Sequence, residues 1–495
     1  MRRGAGETAA VIAGYTGSLL SILGFILLVP LFYGFLSGDQ PGFVRAFLIP
    51  SLGCFVSGSL LRIILPRRTP SVTQAMLICA VGWIVLSAAG ALPYVLGNGS
   101  GFLDAYFETM SGFTTTGITM FQGLDRMPGS IILWRSLTQW VGGLGILTFF
   151  LAVTSQAPGA HMLFGAESHK IGSSRPEPGM RHTLKILWGI YALLTAAVAA
   201  SLALAGMSVF DGVNHSMTAL STGGFSPHDA SIAWFSAPGR GDHVLIEYIL
   251  ILGMIAGGTS FLVHYRLLRG RFRALWTGTE VRLWWGLITV LAALMLAEHL
   301  IASTGIGERF EEVFRKVLFQ VVSILTTTGF GTVSLTDPFF GSLARQLFLV
   351  MMVIGGCVGS TGGGIKVLRV AILWGLVKQE VRRLFYPARA INRIVIDGHL
   401  VDRAEVHRVS AIFFSWIGLL VVGGACTALL SDLDGYTSFS GMFSALGNIG
   451  PSFLTVAQGA ALHPLVKVVY IFGMLAGRLE VLPVLLLFSP AAWKR

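Results

Sequence analysis

The chain has 495 residues, of which 54% are apolar and only 12% are charged. An average soluble domain has roughly twice that charged fraction, so the composition excludes an ordinary water-soluble protein. The net charge of +11 does not indicate a nucleic-acid partner, because the basic residues fall between apolar segments and lack the aromatic interleaving of RNA-binding modules.

The first two apolar segments, residues 11–35 and 43–65, predict membrane helices, which need about 20 mostly apolar residues each. The basic start Met1–Arg3 before a long apolar run resembles a signal peptide. The run is longer than the usual h-region, however, and no small-residue cleavage pattern ends it. We therefore predict that it remains as the first helix of a two-helix unit, residues 1–70.

A theme then recurs four times: a short apolar segment, a Gly/Thr-rich loop and a helix with Gly-Gly. The segments Phe107–Gly117 and Phe319–Gly329 share Phe, Ser and Thr-Thr-Thr-Gly in register, and Ser216–Gly223 and Phe443–Gly450 align with them. The short segment cannot cross a membrane and must re-enter. Free carbonyls at membrane depth are tolerated only where they are buried or line a water-filled cavity. Four such loops around one axis predict a pore.

The predicted fold is an all-α membrane protein with two N-terminal helices and four helix, pore-loop and helix units, arranged with pseudo-fourfold symmetry around one pore. The predicted boundaries of the four units are residues 71–160, 161–275 with a cytoplasmic linker, 276–400 with a glycine-rich loop and a cytoplasmic hairpin, and 401–495. Basic residues gather near 62–68, 175–185, 266–273 and 378–393. By the positive-inside rule these loops face the cytoplasm, which predicts ten spans with both termini inside.

The loop residues suit a filter for a monovalent cation. Channels replace the hydration shell of potassium with rings of backbone carbonyls, and glycine can take the positive φ that aligns them. Each preceding half-helix also aims its partially negative C-terminal end at the ion. The predicted ion-binding residues are Thr115, Thr116, Gly117, Ser221, Thr222, Gly223, Thr327, Thr328, Gly329, Asn448, Ile449 and Gly450.

Acidic residues stand at the opposite ends of the half-helices. They are Asp104, Asp211, Glu311 and Glu312. These acidic residues can be interpreted either as ordinary helix-capping acids or as a vestibule that attracts cations. Small-residue helix packing accounts for the Gly-Gly pairs, but it does not account for the recurrence of Thr-Thr-Thr-Gly.

A glycine-rich stretch follows the third loop. Residues 355–364 contain six glycines, each of which costs a helix about 1 kcal/mol relative to alanine, so an unwound and movable segment is predicted. A phosphate-binding P-loop is a poor alternative, because Lys366 is preceded by Ile365 and followed by Val367.

Arg478 occupies the position where the other units have Gly143, Gly258 and Gly356. A cation deep in a membrane segment is a functional hypothesis by default. We predict that it points into the pore below the filter as an electrostatic barrier. The alternative is a structural anchor, paired with a carboxylate such as Glu480 or with loop carbonyls.

These loops, together with Gly355–Lys366, Gly477–Glu480 and Lys378–Pro387, resemble the Trk/Ktr/HKT superfamily of potassium transporters, and within it the membrane subunits of bacterial Trk systems (TrkH/TrkG type). The resemblance runs over nearly the whole chain. It implies potassium uptake across the bacterial inner membrane, with glycine at 117 favouring potassium over sodium. It also implies a gate below the pore, formed by Gly359, Ser360, Thr361, Gly362, Gly363, Gly364, Lys366 and Arg478.

The resemblance further implies a homodimer and a cytosolic nucleotide-binding ring of the TrkA type. The chain itself contains no dinucleotide-binding fingerprint, and we predict no cofactor beyond the transported potassium ion. The Asp397-Gly398 turn predicts a cytoplasmic hairpin, which either docks a partner or is a solvated linker. The four cysteines, in apolar stretches without CxxC or disulfide spacing, predict packing residues.

Two other classes of membrane protein are alternatives. A proton- or sodium-coupled potassium symporter with alternating access remains the alternative mechanism, although a carrier built from inverted repeats would alternate the side of its basic loops and these four units do not. A membrane enzyme would cluster His, Asp or Glu within its spans. His215, Glu298 and His299 are scattered and predicted to be polar residues at helix ends, so no enzymatic activity is expected.

Overall fold

The N-terminal unit is a pair of long helices that pack along small residues. The computed structural model describes residues 4–65, 68–145, 148, 180–302, 309–385 and 393–494. Helix α1 covers Ala5–Ser37 and α2 covers Pro41–Ile64. A Cβ on Gly58 would lie 2.5 Å from the Gly17 carbonyl oxygen, so the two backbones touch where neither carries a side chain. The predicted start Met1–Arg3 and basic residues such as Arg67, Arg175 and Arg389 lie outside the described residues.

The chain is a mostly helical membrane protein in which a long helix, a short helix, a loop and a second helix follow one another four times. The four sets of helices are α3 Val72–Asn98, α4 Phe102–Phe113 and α5 Gly129–Gly143; α6 Met180–Leu204, α7 Val209–Leu220 and α8 His243–Gly258; α10 Thr279–Ala302, α11 Phe310–Leu325 and α12 Ser342–Val353; and α14 Arg403–Leu430, α15 Gly435–Gly447 and α17 Pro464–Arg478. The shorter helices between or after them are α9 Phe261–Leu268, α13 Val367–Arg383, α16 Val456–Ala460, α18 Leu482–Leu486 and α19 Pro490–Trp493, with 3-10 helices at Leu124–Arg126, Ser231–Ser236 and Phe272–Leu275.

Six of the described helices are long and apolar enough to cross a membrane by themselves, namely α1, α2, α3, α6, α10 and α14. Helices α8 and α9 pass the same test only as a pair that bends by 105°. The short helices α4, α7, α11 and α15 have 12, 12, 16 and 13 residues. Such helices rise only about 18 to 24 Å, less than the hydrocarbon core of roughly 30 Å. Because α5, α8, α12 and α17 are also only 12 to 16 residues long, the predicted total of ten spans stays a prediction.

The hydrophobic core consists mainly of two large clusters, each of which packs two of the repeats together. One hydrophobic cluster packs the N-terminal helices against repeats 1 and 4, and a second packs repeats 2 and 3 together. Phe107 and Phe319, which begin the two similar loops, are fully buried in these clusters. The four cysteines are free, and Cys54, Cys79 and Cys357 are buried as packing residues.

The predicted hairpin is confirmed. Strand β1 (Val395–Ile396) pairs antiparallel with β2 (His399–Leu400). Asp397 and Gly398 both take positive φ, at 51° and 80°, as a two-residue hairpin turn requires. The Asp397 carboxylate accepts hydrogen bonds from the Thr279 backbone amide and hydroxyl, both at 2.7 Å, at the start of α10. The hairpin is therefore anchored on its own chain, and the docking of a partner there stays a prediction.

Candidate functional site

Each short helix ends in a loop whose backbone is left-handed at two positions. These pairs, with their φ angles, are Thr115 (53°) and Gly117 (83°), Thr222 (54°) and Gly224 (74°), Thr327 (61°) and Gly329 (89°), and Asn448 (55°) and Gly450 (103°). Because L-residues rarely adopt this conformation, its fourfold recurrence marks equivalent segments. We name the segments 115–117, 222–224, 327–329 and 448–450 the loop triplets.

The second triplet lies one residue later than the sequence alignment placed it. The amide of each middle residue bonds the carbonyl five residues earlier in the same half-helix. These bonds are Thr116 to Ser111 (2.8 Å), Gly223 to Thr218 (2.9 Å), Thr328 to Ser323 (2.9 Å) and Ile449 to Ser444 (3.0 Å). Gly224 is therefore the counterpart of Gly117, and Ser221 falls just outside the triplet. The sequence alone could not decide this, because two consecutive glycines fit either register.

The four triplets touch one another in a closed ring. A Cβ added to the last glycine of each triplet would strike the middle carbonyl oxygen of the next. The distances are 2.2 Å from Gly117 to Gly223, 2.0 Å from Gly224 to Thr328, 2.0 Å from Gly329 to Ile449 and 2.9 Å from Gly450 to Thr116. Glycine is thus required at each of these positions for two reasons. Its φ is positive, and a neighbouring backbone approaches too closely to leave room for a Cβ. The ring brings together loops that are more than 100 residues apart in the chain.

A cavity opens at one side of this ring. It has a volume of about 450 Å³ and all four last glycines line it, so we name it the mouth cavity. His228, in the loop after the second triplet, also lines it. The His228 ring lies 2.6 Å from Asp125 and 3.3 Å from Asp211, and it stacks on Trp234 at 3.7 Å. Partial burial opposes protonation of His228, but the two carboxylates outweigh it and raise the pKa of the imidazole.

Buried polar side chains of α4 and α7 make hydrogen bonds to the residues that follow the first two triplets. Glu108, in α4, is fully buried and accepts hydrogen bonds from the Met120 amide (2.9 Å) and the Thr119 hydroxyl (2.9 Å). It also pairs with the buried Arg135 at 2.8 Å. His215, the corresponding residue of α7, bonds the Ser226 hydroxyl at 3.1 Å in the same manner. These contacts hold the chain as it leaves each triplet.

The acidic residues at the starts of the half-helices are engaged in local pairs. Asp104 pairs with Lys467 at 2.6 Å, and Asp211 accepts from the Ser208 hydroxyl at 2.8 Å besides facing His228. Glu311 and Glu312 pair with Arg315 and Lys316 one turn further along α11, at 2.9 and 2.7 Å. These partners favour the capping interpretation over a free cation-attracting vestibule.

The glycine-rich segment breaks the third repeat as predicted. Helix α12 ends at Val353, α13 begins at Val367, and residues 354–366 between them are not helical. Thr361 donates its hydroxyl to the carbonyls of Leu220 (2.8 Å) and Gly257 (3.0 Å). The Gly363 amide donates to the Thr327 hydroxyl at 2.7 Å. The segment is therefore hydrogen-bonded directly to the C-terminal ends of α7 and α8 and to the third triplet.

Arg478 joins this segment to the first repeat. Its guanidinium donates to the Thr361 carbonyl (2.6 Å), the Thr115 hydroxyl (3.1 Å) and the carbonyls of Gly142 (2.6 Å) and Gly143 (2.5 Å). Carbonyls at the end of α5 and in the glycine-rich segment thus hold the arginine, and its role as an electrostatic barrier or a structural anchor stays a prediction. Glu480 instead pairs with Arg369 on α13.

Comparison with known proteins identifies the family. The family model described as TrkH, cation transport protein, matches residues 48–495. The chain belongs to the TrkH family. It is 34% identical to the Trk system potassium uptake protein TrkH of Salmonella typhimurium over 431 residues, 85% of this chain and 86% of that protein.

Two further similarities cover almost the whole length of this TrkH-family chain. It is 33% identical to the Trk system potassium uptake protein TrkH of Halomonas elongata over 495 residues, 97% of this chain and 98% of that one. The crystal structure of the potassium transporter TrkH from Vibrio parahaemolyticus superposes with a TM-score of 0.86 at 30% identity, covering 98% of this chain and 99% of that one.

Of the three scattered polar residues of this TrkH-family protein, one differs from its predicted place. His215 is not at a helix end, because it lies within α7 and is fully buried. Glu298, by contrast, caps the start of α12 through the Leu343 and Ala344 amides at 2.7 and 2.8 Å. His299 bonds the Phe339 carbonyl at 3.1 Å, near the end of α10. Among the described residues, no group of three or more His, Cys, Asp or Glu could hold a metal ion.

The sequence did not lead us to the buried polar residues that support the triplets. Glu108, Arg135 and Gln139 each have at most 1% of their surface exposed, and each makes a hydrogen bond to one of the loops. The available signal was a pair of opposite charges inside apolar helices of one repeat, since such charges are expensive in a membrane and are normally paired.

Proposed function

We propose that this TrkH-family protein carries potassium ions across the bacterial cytoplasmic membrane through one pore lined by the four loop triplets with pseudo-fourfold symmetry. The observation that carries the proposal is the closed ring of triplet contacts beside the mouth cavity. Rings of backbone carbonyls can replace the hydration shell of potassium. The Salmonella typhimurium and Halomonas elongata relatives are named potassium uptake proteins.

The proposed ion-binding residues follow from the equivalences in the ring. They are Thr115, Thr116, Gly117, Thr222, Gly223, Gly224, Thr327, Thr328, Gly329, Asn448, Ile449 and Gly450. The C-terminal ends of α4, α7, α11 and α15 meet these triplets and supply partial negative charge that favours cations. Ser221 is assigned to support of the second triplet rather than to ion binding.

The glycine-rich segment and Arg478 form the proposed gate. In the proposed arrangement, residues 359–364 and Lys366 close the pore on the side away from the mouth cavity. A second cavity of about 110 Å³ is lined by Gly362, Lys366 and Arg478. Hydrogen bonds to Thr327 and Arg478 hold the segment, and they support this assignment. Breaking them would free a glycine-rich chain with little steric resistance to movement.

The proposed assembly is a homodimer that works with a cytosolic nucleotide-binding ring. The predicted cytoplasmic loops are basic, which supports placing them and both termini inside the cell. Passive flow through a gated pore is favoured over proton or sodium coupling, because the four triplets meet in one ring rather than in two inverted halves. We propose no resident cofactor.

Uptake of rubidium-86 by proteoliposomes of the purified chain tests the proposal. Potassium is expected to compete strongly and sodium weakly, and imposed proton or sodium gradients are expected to leave the initial rate unchanged. An Arg478→Ala variant, measured in parallel, should raise the rate because the segment loses its anchor. Absence of uptake by both proteins, or equal competition by sodium and potassium, would contradict the proposal. A rate that follows an imposed proton or sodium gradient would establish the coupled symporter instead.

A further inference from the structure

The second helix of the first repeat differs from its three counterparts at one buried position. Gln139 lies four residues before Gly143 in α5. The residues four before the equivalent positions Gly258, Gly356 and Arg478 are Met254, Met352 and Met474. Only the first repeat therefore offers a hydrogen-bonding side chain at this level of the helix.

Both ends of the Gln139 amide bond the second loop. Its Nε2 donates to the Gly223 carbonyl at 2.7 Å, and its Oε1 accepts from the Phe225 amide at 3.0 Å. Gly223 is the middle residue of the second triplet, and its carbonyl is the one that meets Gly117 in the ring. Gln139 thus holds a ring carbonyl and the residue after the triplet at once.

The Gln139 side chain fills the space that a side chain at position 223 would need. Of the four middle residues, Gly223 alone has no side chain, since its counterparts are Thr116, Thr328 and Ile449. A Cβ on Gly223 would lie 2.4 Å from the Gln139 Cδ. Gly223 is also absent from the left-handed residues of the described chain, so space rather than φ requires glycine here. The amide of Gln139 occupies the place that a side chain takes in the other triplets.

Arg135, one turn earlier in α5, reinforces the same loop. It donates to the Ser226 carbonyl at 3.0 Å, and its guanidinium lies over the Phe225 ring at 4.2 Å. The equivalent residues in the other repeats, eight before the reference position, are Leu250, Phe348 and Tyr470. The second loop is therefore braced by an amide and a guanidinium of the first repeat, whereas the equivalent helix positions of the other repeats carry neither group.

We propose that Gln139 is a positioning residue that sets the cation discrimination of the second loop by fixing the direction of the Gly223 carbonyl. This inference rests on the proposed function. Discrimination between cations in a carbonyl filter depends on the number and field strength of the carbonyl dipoles. A glycine carbonyl without its donor can turn, because glycine has the fewest backbone restrictions. The ring then adapts to a smaller ion, and sodium gains relative to potassium.

The test is a Gln139→Met variant, which gives the first repeat the residue of the other three. Rubidium-86 uptake is measured in an Arg478→Ala background with increasing potassium or sodium. Loss of one net hydrogen bond corresponds to about a fivefold shift in the ratio of the two inhibition constants, towards sodium. Met254→Leu, which changes packing at the equivalent buried position of α8, is the matched control and should keep the parental ratio.

A second variant addresses the shared volume. Gly223→Thr alone should lose most uptake, because its Cβ strikes Gln139. Gln139→Met with Gly223→Thr should recover uptake, because the pair then resembles the first and third triplets at this position. Continued loss of uptake in the folded double variant would overturn the shared-volume argument.

The outcomes separate this inference from the proposed function. An unchanged potassium-to-sodium ratio in Gln139→Met overturns the inference alone, and so does an equal fall in the uptake of every cation. If Gln139→Met cannot be purified as a folded protein, Gln139→Leu, which removes the donor without adding a charge, must show the same shift or the inference fails. Absence of cation uptake by the Arg478→Ala background itself would overturn the proposed function.

Discussion

The backbone of Gly117 touches the backbone of Gly223, which is 106 residues later in the chain. A Cβ on Gly117 would lie 2.2 Å from the Gly223 carbonyl oxygen, and the φ of Gly117 is 83°. Any other residue at 117 would therefore carry left-handed strain and would also displace the neighbouring triplet. The first and second triplets determine each other's position through this contact.

Gly117→Ser is expected to admit sodium. The left-handed backbone costs a non-glycine residue about 1–2 kcal/mol, and the Cβ must push the Gly223 carbonyl aside. Sodium should then compete with rubidium-86 uptake in the variant much more strongly than in the parent protein. Gly123→Ser is the control, because Gly123 is also left-handed (74°) but has no atom within 4 Å of its Cβ position. A change of selectivity in both variants would show that strain, rather than the contact, is responsible.

Glu108→Gln should destabilise the protein strongly. It leaves the buried Arg135 guanidinium without its carboxylate, and breaking a buried pair from one side costs about 3–5 kcal/mol. Thermal unfolding in detergent is the measurement. Glu7→Gln, which disrupts the exposed pair with Arg68, is the control and should cost less than about 1 kcal/mol. Equal losses in the two variants would mean that the Glu108 pair does not brace the first triplet.

Protonation of His228 should stabilise the contacts around the mouth cavity. Its pKa is raised above the ordinary value of 6.5, because Asp125 and Asp211 together outweigh the opposing effect of burial. The stabilisation is therefore complete below a pH of about 6.5 and is lost as the pH rises through the higher folded-state pKa. The unfolding temperature of the parent protein should fall over this window relative to His228→Gln. His399→Gln, on the exposed hairpin, should keep the parental profile, and a parental profile in His228→Gln would refute the assignment.

Asp397→Ala should loosen the β1–β2 hairpin from α10. The lost side chain accepts from the Thr279 amide and hydroxyl, and removal of a helix cap costs about 1 kcal/mol. Hydrogen exchange of the first turn of α10 is the most direct measurement and should become faster. Asp402→Ala is the matched control, because Asp402 precedes α14 without a side-chain cap bond. Unchanged exchange in Asp397→Ala would place the anchor elsewhere.

Local features of the sequence predicted much of this architecture. The repeated Thr-Thr-Thr-Gly predicted two equivalent loops, six glycines predicted the break between α12 and α13, and Asp397-Gly398 predicted the hairpin turn. Each of these signals acts within a few residues, through glycine conformation, turn geometry or the length of an apolar run. They could be read without knowing which repeats are neighbours.

Tertiary structure alone decided how the repeats meet. Gly223 and Gly224 both fit the second loop in the sequence, and only hydrogen bonds and φ angles select Gly224 as the partner of the other ring glycines. The role of Gln139 depends on a contact with Gly223, 84 residues away, that no local pattern encodes. The sequence by itself thus determined which segments can form loops and helices, because those preferences are local. The ring, its register and the side chains that support it arise only when four loops distant in sequence pack around one axis. The close contacts between their backbones then decide which residue fits at each position.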